Sequence, residues 1–153
     1  MKPQGFIATH YRSLDAKGRL ILPPEYREYL QAKTEEGEEP SFWLTGYYGK
    51  LVAYLPAEWM KIFEQLSKVS FRYVKLSNFK SKVIGLAQCV TPDGQGRVRI
   101  SQPLMREANL TKDCVLVGMI DKFEIWDQGK FDALSTEEDL SDEIAATNLE
   151  LDL

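Results

Sequence analysis

The chain holds a single histidine and only two cysteines in 153 residues, and this scarcity excludes several kinds of chemistry at once. Nucleophilic triads lack their parts. His10 stands alone, no Gly-x-Ser-x-Gly elbow is present, and neither cysteine has an activating neighbour in the sequence. Cys89 and Cys114 lie 25 positions apart with no histidine beside them, which is not a zinc-ligand spacing. Both are read as reduced, buried, small apolar residues in a chain large enough to need no covalent staple. Gly94-x-Gly96 is followed by Arg99 where a dinucleotide fingerprint requires its third glycine, and no Gly-Lys-Ser/Thr of a phosphate-binding loop occurs. Long apolar runs are missing too. Stretches such as Leu20 to Pro24 or Val115 to Ile120 fall far short of the roughly 20 residues that cross a bilayer, so no membrane span is expected. Met1-Lys2-Pro3-Gln4-Gly5 leads into no apolar signal core, which points to the cytoplasm. The expectation is a protein without catalytic residues, metal, cofactor or small-molecule substrate.

What is present is a globular composition, 44% hydrophobic and 27% charged. Its net charge of -4 is unevenly placed. From Asp132 to the end there are eight acids and no Lys or Arg, which leaves 19 basic against 15 acidic residues in the body, a local charge of +4. An acidic tail can hide a basic body in the sum, so the overall acidity does not argue against a polyanionic partner.

The most informative feature is an internal repeat. Asp15-Ala16-Lys17-Gly18-Arg19-Leu20-Ile21-Leu22 returns 78 positions later as Asp93-Gly94-Gln95-Gly96-Arg97-Val98-Arg99-Ile100. A second block repeats at an offset of 72, matching Gly46, Lys50, Leu51, Ala53, Tyr54 and Trp59 to Gly118, Lys122, Phe123, Ile125, Trp126 and Phe131. The extra stretch Thr34 to Pro40 in the first copy explains the difference and reads as a surface loop. Each copy patterns as strand, tight turn, strand, short helix, strand, turn, strand. Lys17-Gly18 and Asp93-Gly94 are placed at the tight reversals, where glycine permits a positive φ. Pro24 opens the first short helix. Pro56 opens another with Trp59, Ile62, Phe63 and Leu66 inward, and a helix over Phe71 to Leu86 is expected to turn Leu76, Phe79, Val83 and Ile84 inward. Its outer face carries Arg72, Lys75, Lys80 and Lys82, either a solvated face or a contact for a polyanion.

Asp-x-x-Gly-Arg in a two-strand turn sets a basic side chain just past a reversal on a rigid, protruding support. Arg19 and Arg97 each offer a planar fork of donors to a guanine edge or a phosphate, and Lys17 and Gln95 occupy matching positions with different donors. Arg12 and Arg99 are further candidates for phosphate contact. Asp15 and Asp93 are assigned to holding the turn or pairing with the arginine.

Taken together, Leu14-Asp15-Ala16-Lys17-Gly18-Arg19-Leu20, Pro23 to Arg27, Tyr54 with Pro56 and Glu58-Trp59, Asp93-Gly94-Gln95-Gly96-Arg97, Ala108-Asn109-Leu110, Val115-Leu116-Val117-Gly118 and Glu124-Ile125-Trp126-Asp127 resemble the MraZ family, over about Ala8 to Phe131. That resemblance implies a mostly β fold with short helices. It would consist of two tandem SpoVT/AbrB-type swapped-hairpin β-barrel modules forming a pseudo-dimer. The parts would be 9–58 for module 1, 59–86 for connecting helices, 87–130 for module 2 and 131–153 for the acidic tail. It also implies a nucleoid-associated, sequence-specific DNA-binding transcriptional repressor. Such a protein acts at short direct repeats upstream of the division and cell-wall gene cluster, its own gene included, and assembles into a homo-oligomeric ring. Double-stranded DNA would be read by Lys17, Arg19, Gln95 and Arg97. The chain departs from the family pattern in the longer Met1 to Ile7, in Arg12 where His or Asn is common, and in Ser101-Gln102 where Pro-Pro is expected. These departures bear on the first strand and the second short helix. A non-catalytic, ring-shaped protein-interaction scaffold is the alternative from another class.

Overall fold

The computed structural model describes residues 4–152, so Met1 to Pro3 of the N-terminal departure, and Leu153, lie outside the described residues. In chain order the elements are β1 (Thr9–Ser13), β2 (Arg19–Ile21), α1 (Pro24–Ala32), β3 (Phe42–Tyr47), β4 (Lys50–Tyr54), α2 (Pro56–Ser67) and α3 (Val74–Leu86). Then follow β5 (Gln88–Val90), β6 (Arg97–Arg99), α4 (Gln102–Glu107), β7 (Asp113–Gly118), β8 (Lys122–Asp127), α5 (Gln128–Asp132) and α6 (Ser141–Ala146). The architecture is mixed β and α. Six strands form one antiparallel sheet in the order β1-β7-β8-β4-β3-β5, and β2 pairs with β6 in a separate two-stranded ribbon.

The repeat becomes an approximate two-fold axis. At the centre of the ribbon Leu20 faces Val98, its counterpart at offset 78, and at the centre of the large sheet Val52 faces Glu124, its counterpart at offset 72. The remaining registers obey the same symmetry: Arg12↔Cys114 and Tyr11↔Val115 answer Val90↔Phe42 and Cys89↔Trp43. Side-chain contacts repeat as well. Lys50 Nζ lies 5.2 Å from the Trp126 ring and Lys122 Nζ lies 5.9 Å from the Tyr54 ring, each half placing its ammonium over the other half's aromatic face.

These registers correct one local expectation. Each tight turn has hairpin geometry, but its two strands diverge at once: β1 leaves to pair with β7 and β5 with β3, while β2 and β6 pair with each other. Thus each half lends its first strand to the other. Burial explains why. Leu20, Leu22, Val98 and Ile100 close one side of the core, and Leu44, Leu51, Ala53, Leu116, Phe123 and Ile125 line the other, so the strands on either side of a turn belong to opposite walls. Phe6 plugs this core, edge-on to Tyr26, Tyr29 and Phe123 at 4.9 to 5.3 Å between ring centroids.

On the outer face of the large sheet, α2 and α3 cover the first half through Val52, Tyr54, Trp59, Leu66 and Val83. Thr45 Oγ1, fully buried, donates to the Val83 carbonyl in the last turns of α3, where a helix leaves carbonyls unpaired. The cover is narrower than the sequence pattern suggests: Phe63 and Leu76 are exposed at 44% and 47%. Nor does α3 reach back to Phe71, because Ser70 Oγ accepts from Arg72 N and holds that segment in a turn that competes with the helix. Cys89, expected inside, is exposed on the edge strand β5, whereas Cys114 is buried. The departures at Arg12 and at Ser101-Gln102 cost no element. β1 is formed, and α4 is capped by Ser101, whose side chain accepts from Leu104 N.

Candidate nucleic-acid interface

Each Asp-x-x-Gly-Arg turn is built by its own aspartate. Asp15 Oδ1 accepts from Lys17 N and Arg19 N, both at 2.9 Å, and Oδ2 accepts from Arg19 Nε at 2.8 Å. In the second turn Asp93 Oδ1 accepts from Gln95 N and Arg97 N, again at 2.9 Å, and Oδ2 from Arg97 Nε at 2.7 Å. The reversal is closed by Gly18 N on Asp15 O and Gly96 N on Asp93 O. Gly18 and Gly96 take the left-handed conformation, at φ +75° and +80°. In the second turn the positive φ therefore falls on Gly96 and not on Gly94, the counterpart of Ala16.

Three donors converging on one carboxylate favour its ionised form. Led by the Arg97 backbone N–H, they hold Asp93 down at about 2; the same set, led by the Arg19 backbone N–H, holds Asp15 below its ordinary value. These acids are thus committed to the turns. Each arginine is fixed at Nε while its terminal nitrogens, among the described residues, have no hydrogen-bond partner. The result is a guanidinium aimed by a short, charged brace.

The ribbon joins the two turns into one surface. Because Leu20 and Val98 point into the core, the alternating residues Arg19, Ile21, Arg97 and Arg99 point away from it. Gly18 O accepts from Ile100 N and Gly96 O from Leu22 N, so each turn rests on the strand of the other half. Three residues of extended chain, four rises of about 3.4 Å, separate Gly18 from Leu22, which sets the turns about 14 Å apart at opposite ends of the ribbon.

Arg19, Arg97, Lys17, Gln95, Arg99 and Arg12 lie on or beside this ribbon. Lys17 and Gln95 are exposed at the tips, and Arg99 is exposed on the ribbon. Arg12 is partly spent: its Nε donates to Ile21 O and its Nη1 to Tyr11 O, tying β1 to β2. Of the basic face of α3, Lys82 is paired with Glu107 at 3.2 Å. One cation beside the turns escaped the sequence reading. Arg27, on α1, lies against Gly96, where a Cβ would stand 2.9 Å from its Cδ and Nη1. Its repeat counterpart is Met105, so no recurring motif marked it; comparing the copies position by position past the turn would have found it.

The larger clefts lie elsewhere. One of about 400 Å³ is lined by Glu35, Glu38, Glu39, Glu58 and Asp121 along with apolar residues of α1 and α2, a surface of the wrong sign for a polyanion. His10 Nε2 sits 3.2 Å from Glu25 Oε2 outside hydrogen-bonding geometry, and its ring is edge-on to Tyr26. No helix among the described residues is long and apolar enough to cross a membrane.

The family profile described as "MraZ protein, putative antitoxin-like" matches residues 6–80 and again 83–152. The chain belongs to the MraZ family. The double match coincides with the two halves of the structure. Among MraZ relatives, one from Nitratidesulfovibrio vulgaris Hildenborough is 42% identical over 95% of this chain and 97% of its own. One from N. vulgaris Miyazaki F is 40% identical over 97% and 99%, and one from Maridesulfovibrio salexigens is 38% identical over 95% and 97%. All three carry the name Transcriptional regulator MraZ.

Proposed function

We propose that this chain is a sequence-specific DNA-binding transcriptional repressor, and that the arginine ribbon with its two turns is its reading head. The observation that carries this is the pair of braced turns at opposite ends of one antiparallel ribbon, about 14 Å apart, against a major groove about 12 Å wide that admits a two-stranded ribbon. The names of its relatives favour the same class. Arg19 and Arg97 take guanine edges, Lys17 and Gln95 take base edges at the tips, and Arg99 and Arg12 contact phosphate. Lysine suits guanine and glutamine suits adenine. Unlike tips therefore read unlike bases, which favours direct over inverted repeats; the resemblance to the family implies that these lie upstream of the division and cell-wall genes and its own gene.

One ribbon supplies few base contacts, each worth about 1 to 3 kcal/mol, so several must act together. A homo-oligomeric ring on the nucleoid would provide them. α2, α3 and the connection between them expose Met60, Phe63, Phe71, Tyr73, Val74 and Leu76, and exposed apolar surface is of the kind that marks protein contacts. It also favours a second reading, a scaffold in which the assembly holds a partner protein.

A titration of the wild type and Arg19→Ala against the chain's own upstream DNA and a scrambled fragment, at two salt concentrations, separates the readings. A DNA regulator prefers its upstream region, loses affinity steeply with salt and loses its preference in the variant. Equal, weak binding to both fragments by both proteins contradicts it.

A further inference from the structure

The two turns share every backbone hydrogen bond, yet what packs behind them differs. Behind Gly18 is Met105, whose Sδ would lie 3.5 Å from a Cβ built there; behind Gly96 is Arg27, with Cδ and Nη1 at 2.9 Å and Cζ at 3.1 Å. Arg27 and Met105 are repeat counterparts, both 78 positions apart and each on the first helix after its own half's ribbon strand. The tips differ in the opposite sense. The first turn carries Lys17 where the second carries the uncharged Gln95. Each turn thus brings two cations besides its brace: Arg19 with Lys17 at the tip, and Arg97 with Arg27 at the base.

The Arg27 charge is not neutralised within the fold. Among the described residues no carboxylate lies within ion-pair distance of it, although Asp93 borders the same small cleft of about 230 Å³ together with Pro40 and Pro92. Asp93 is occupied, its oxygens accepting from Gln95 N, Arg97 N and Arg97 Nε. The Arg27 side chain lies at the foot of the turn, in the space a Cβ on Gly96 would need. An arginine that is exposed and unpaired beside a groove-reading loop is suited to a planar, charge-assisted contact with a phosphate oxygen.

We propose that Arg27 and the foot of the second turn form a DNA backbone-phosphate site that the first turn lacks. The inference rests on the DNA-binding reading above and assigns its second turn a different division of labour. In the first turn both cations, Arg19 and Lys17, go to base edges; in the second, Arg97 and Gln95 read the bases and Arg27 adds a phosphate contact at the foot. The chain would then hold DNA with a built-in polarity.

The test uses the full chain and three variants: Arg27→Met, which gives the second turn the backing of the first, Arg27→Lys, which keeps the charge, and Met105→Arg, which gives the first turn the backing of the second. Thermal unfolding first checks that each is folded. Binding to the upstream DNA and to a scrambled fragment is then measured across a salt series. For Arg27→Met the expected result is a loss of about fivefold near 0.15 M salt on both fragments, with the slope of log K against log salt reduced by about 0.9, one phosphate's worth. Arg27→Lys should keep the slope and Met105→Arg should steepen it. An unchanged slope in a folded Arg27→Met, or equal losses in the Met and Lys variants, overturns the site while leaving the regulator reading in place. A wild type that binds neither fragment overturns both.

Discussion

The two halves of this chain are alike in their turns and strand ladders and unlike in what covers the outer face of the large sheet. Both turns have the same aspartate accepting the same three donors, and the ladders they feed are related by one axis. On the outer face of the large sheet, however, the first half is roofed by α2 and α3, with Trp59 stacked on Trp43 at 5.6 Å. The second half has only α5, whose Phe131 sits at the counterpart of Trp59 and meets Trp126 at 6.2 Å. At the axis itself Val52, within the apolar roof, faces Glu124, a buried acid held by Lys50 at 2.8 Å and Trp126 Nε1 at 2.9 Å. The difference teaches where the fold tolerates divergence. A roof is satisfied by any apolar or internally paired set of side chains, whereas the turn needs its acid, its glycine and its arginine together.

Substitutions at matched positions sharpen this comparison. The largest contrast is expected at the paired glycines Gly118 and Gly46. A Cβ on Gly118 would stand 2.4 Å from Phe6 O and 2.5 Å from Ile7 N, both backbone atoms, whereas on Gly46 it would meet side-chain atoms of Glu107 and Leu51 at 3.1 Å. Gly118→Ala should cost about 3 kcal/mol or more and Gly46→Ala about 1 kcal/mol, read by denaturant unfolding. Similar losses would show that the backbone beside Gly118 yields as readily as the side chains beside Gly46.

Next in size are the arginines. Arg19→Ala and Arg97→Ala should each weaken binding to the upstream DNA by about 1 to 3 kcal/mol, by similar factors, with little change in thermal unfolding. A loss confined to one variant would make the halves functionally unequal at the base-reading level.

Smallest is the acid response. A carboxyl held below its ordinary value is favoured when ionised in the folded state, so its contribution is complete above about pH 4 and fades as pH falls through its folded value. Titration followed by NMR should place Asp93 near 2 and Asp15 below the model-peptide value of 3.8, with turn amides shifting in step. Ordinary carboxylate midpoints for both would remove the brace.

How much of this was legible beforehand follows from the same contrast. The turns were legible because a repeated Asp-x-x-Gly-Arg carries its own hydrogen bonds, all within five residues. Helix starts at Pro24 and Pro56 were legible for the same local reason. From the residues alone, strand exchange was not: alternation tells which face of β1 is buried but not that its partner is β7, and the swap entered only through the family resemblance. Apolar spacing overstates the burial of Phe63 and Leu76, since it defines a stripe wider than the roof that covers it, and residue type alone overstates that of Cys89, which lies on an edge strand. Arg27 was missed because its role depends on Gly96, nearly seventy residues away in the chain and in the other copy.

The central claim is that both turns act on one duplex as a single ribbon. A double-mutant cycle of Arg19→Ala, Arg97→Ala and the combined variant, titrated against the upstream DNA at fixed salt, tests it most directly. The account predicts that each single variant loses affinity, that the combined variant loses at least as much as either, and that its preference over a scrambled fragment disappears. A combined variant that still discriminates between the fragments as the wild type does would contradict it.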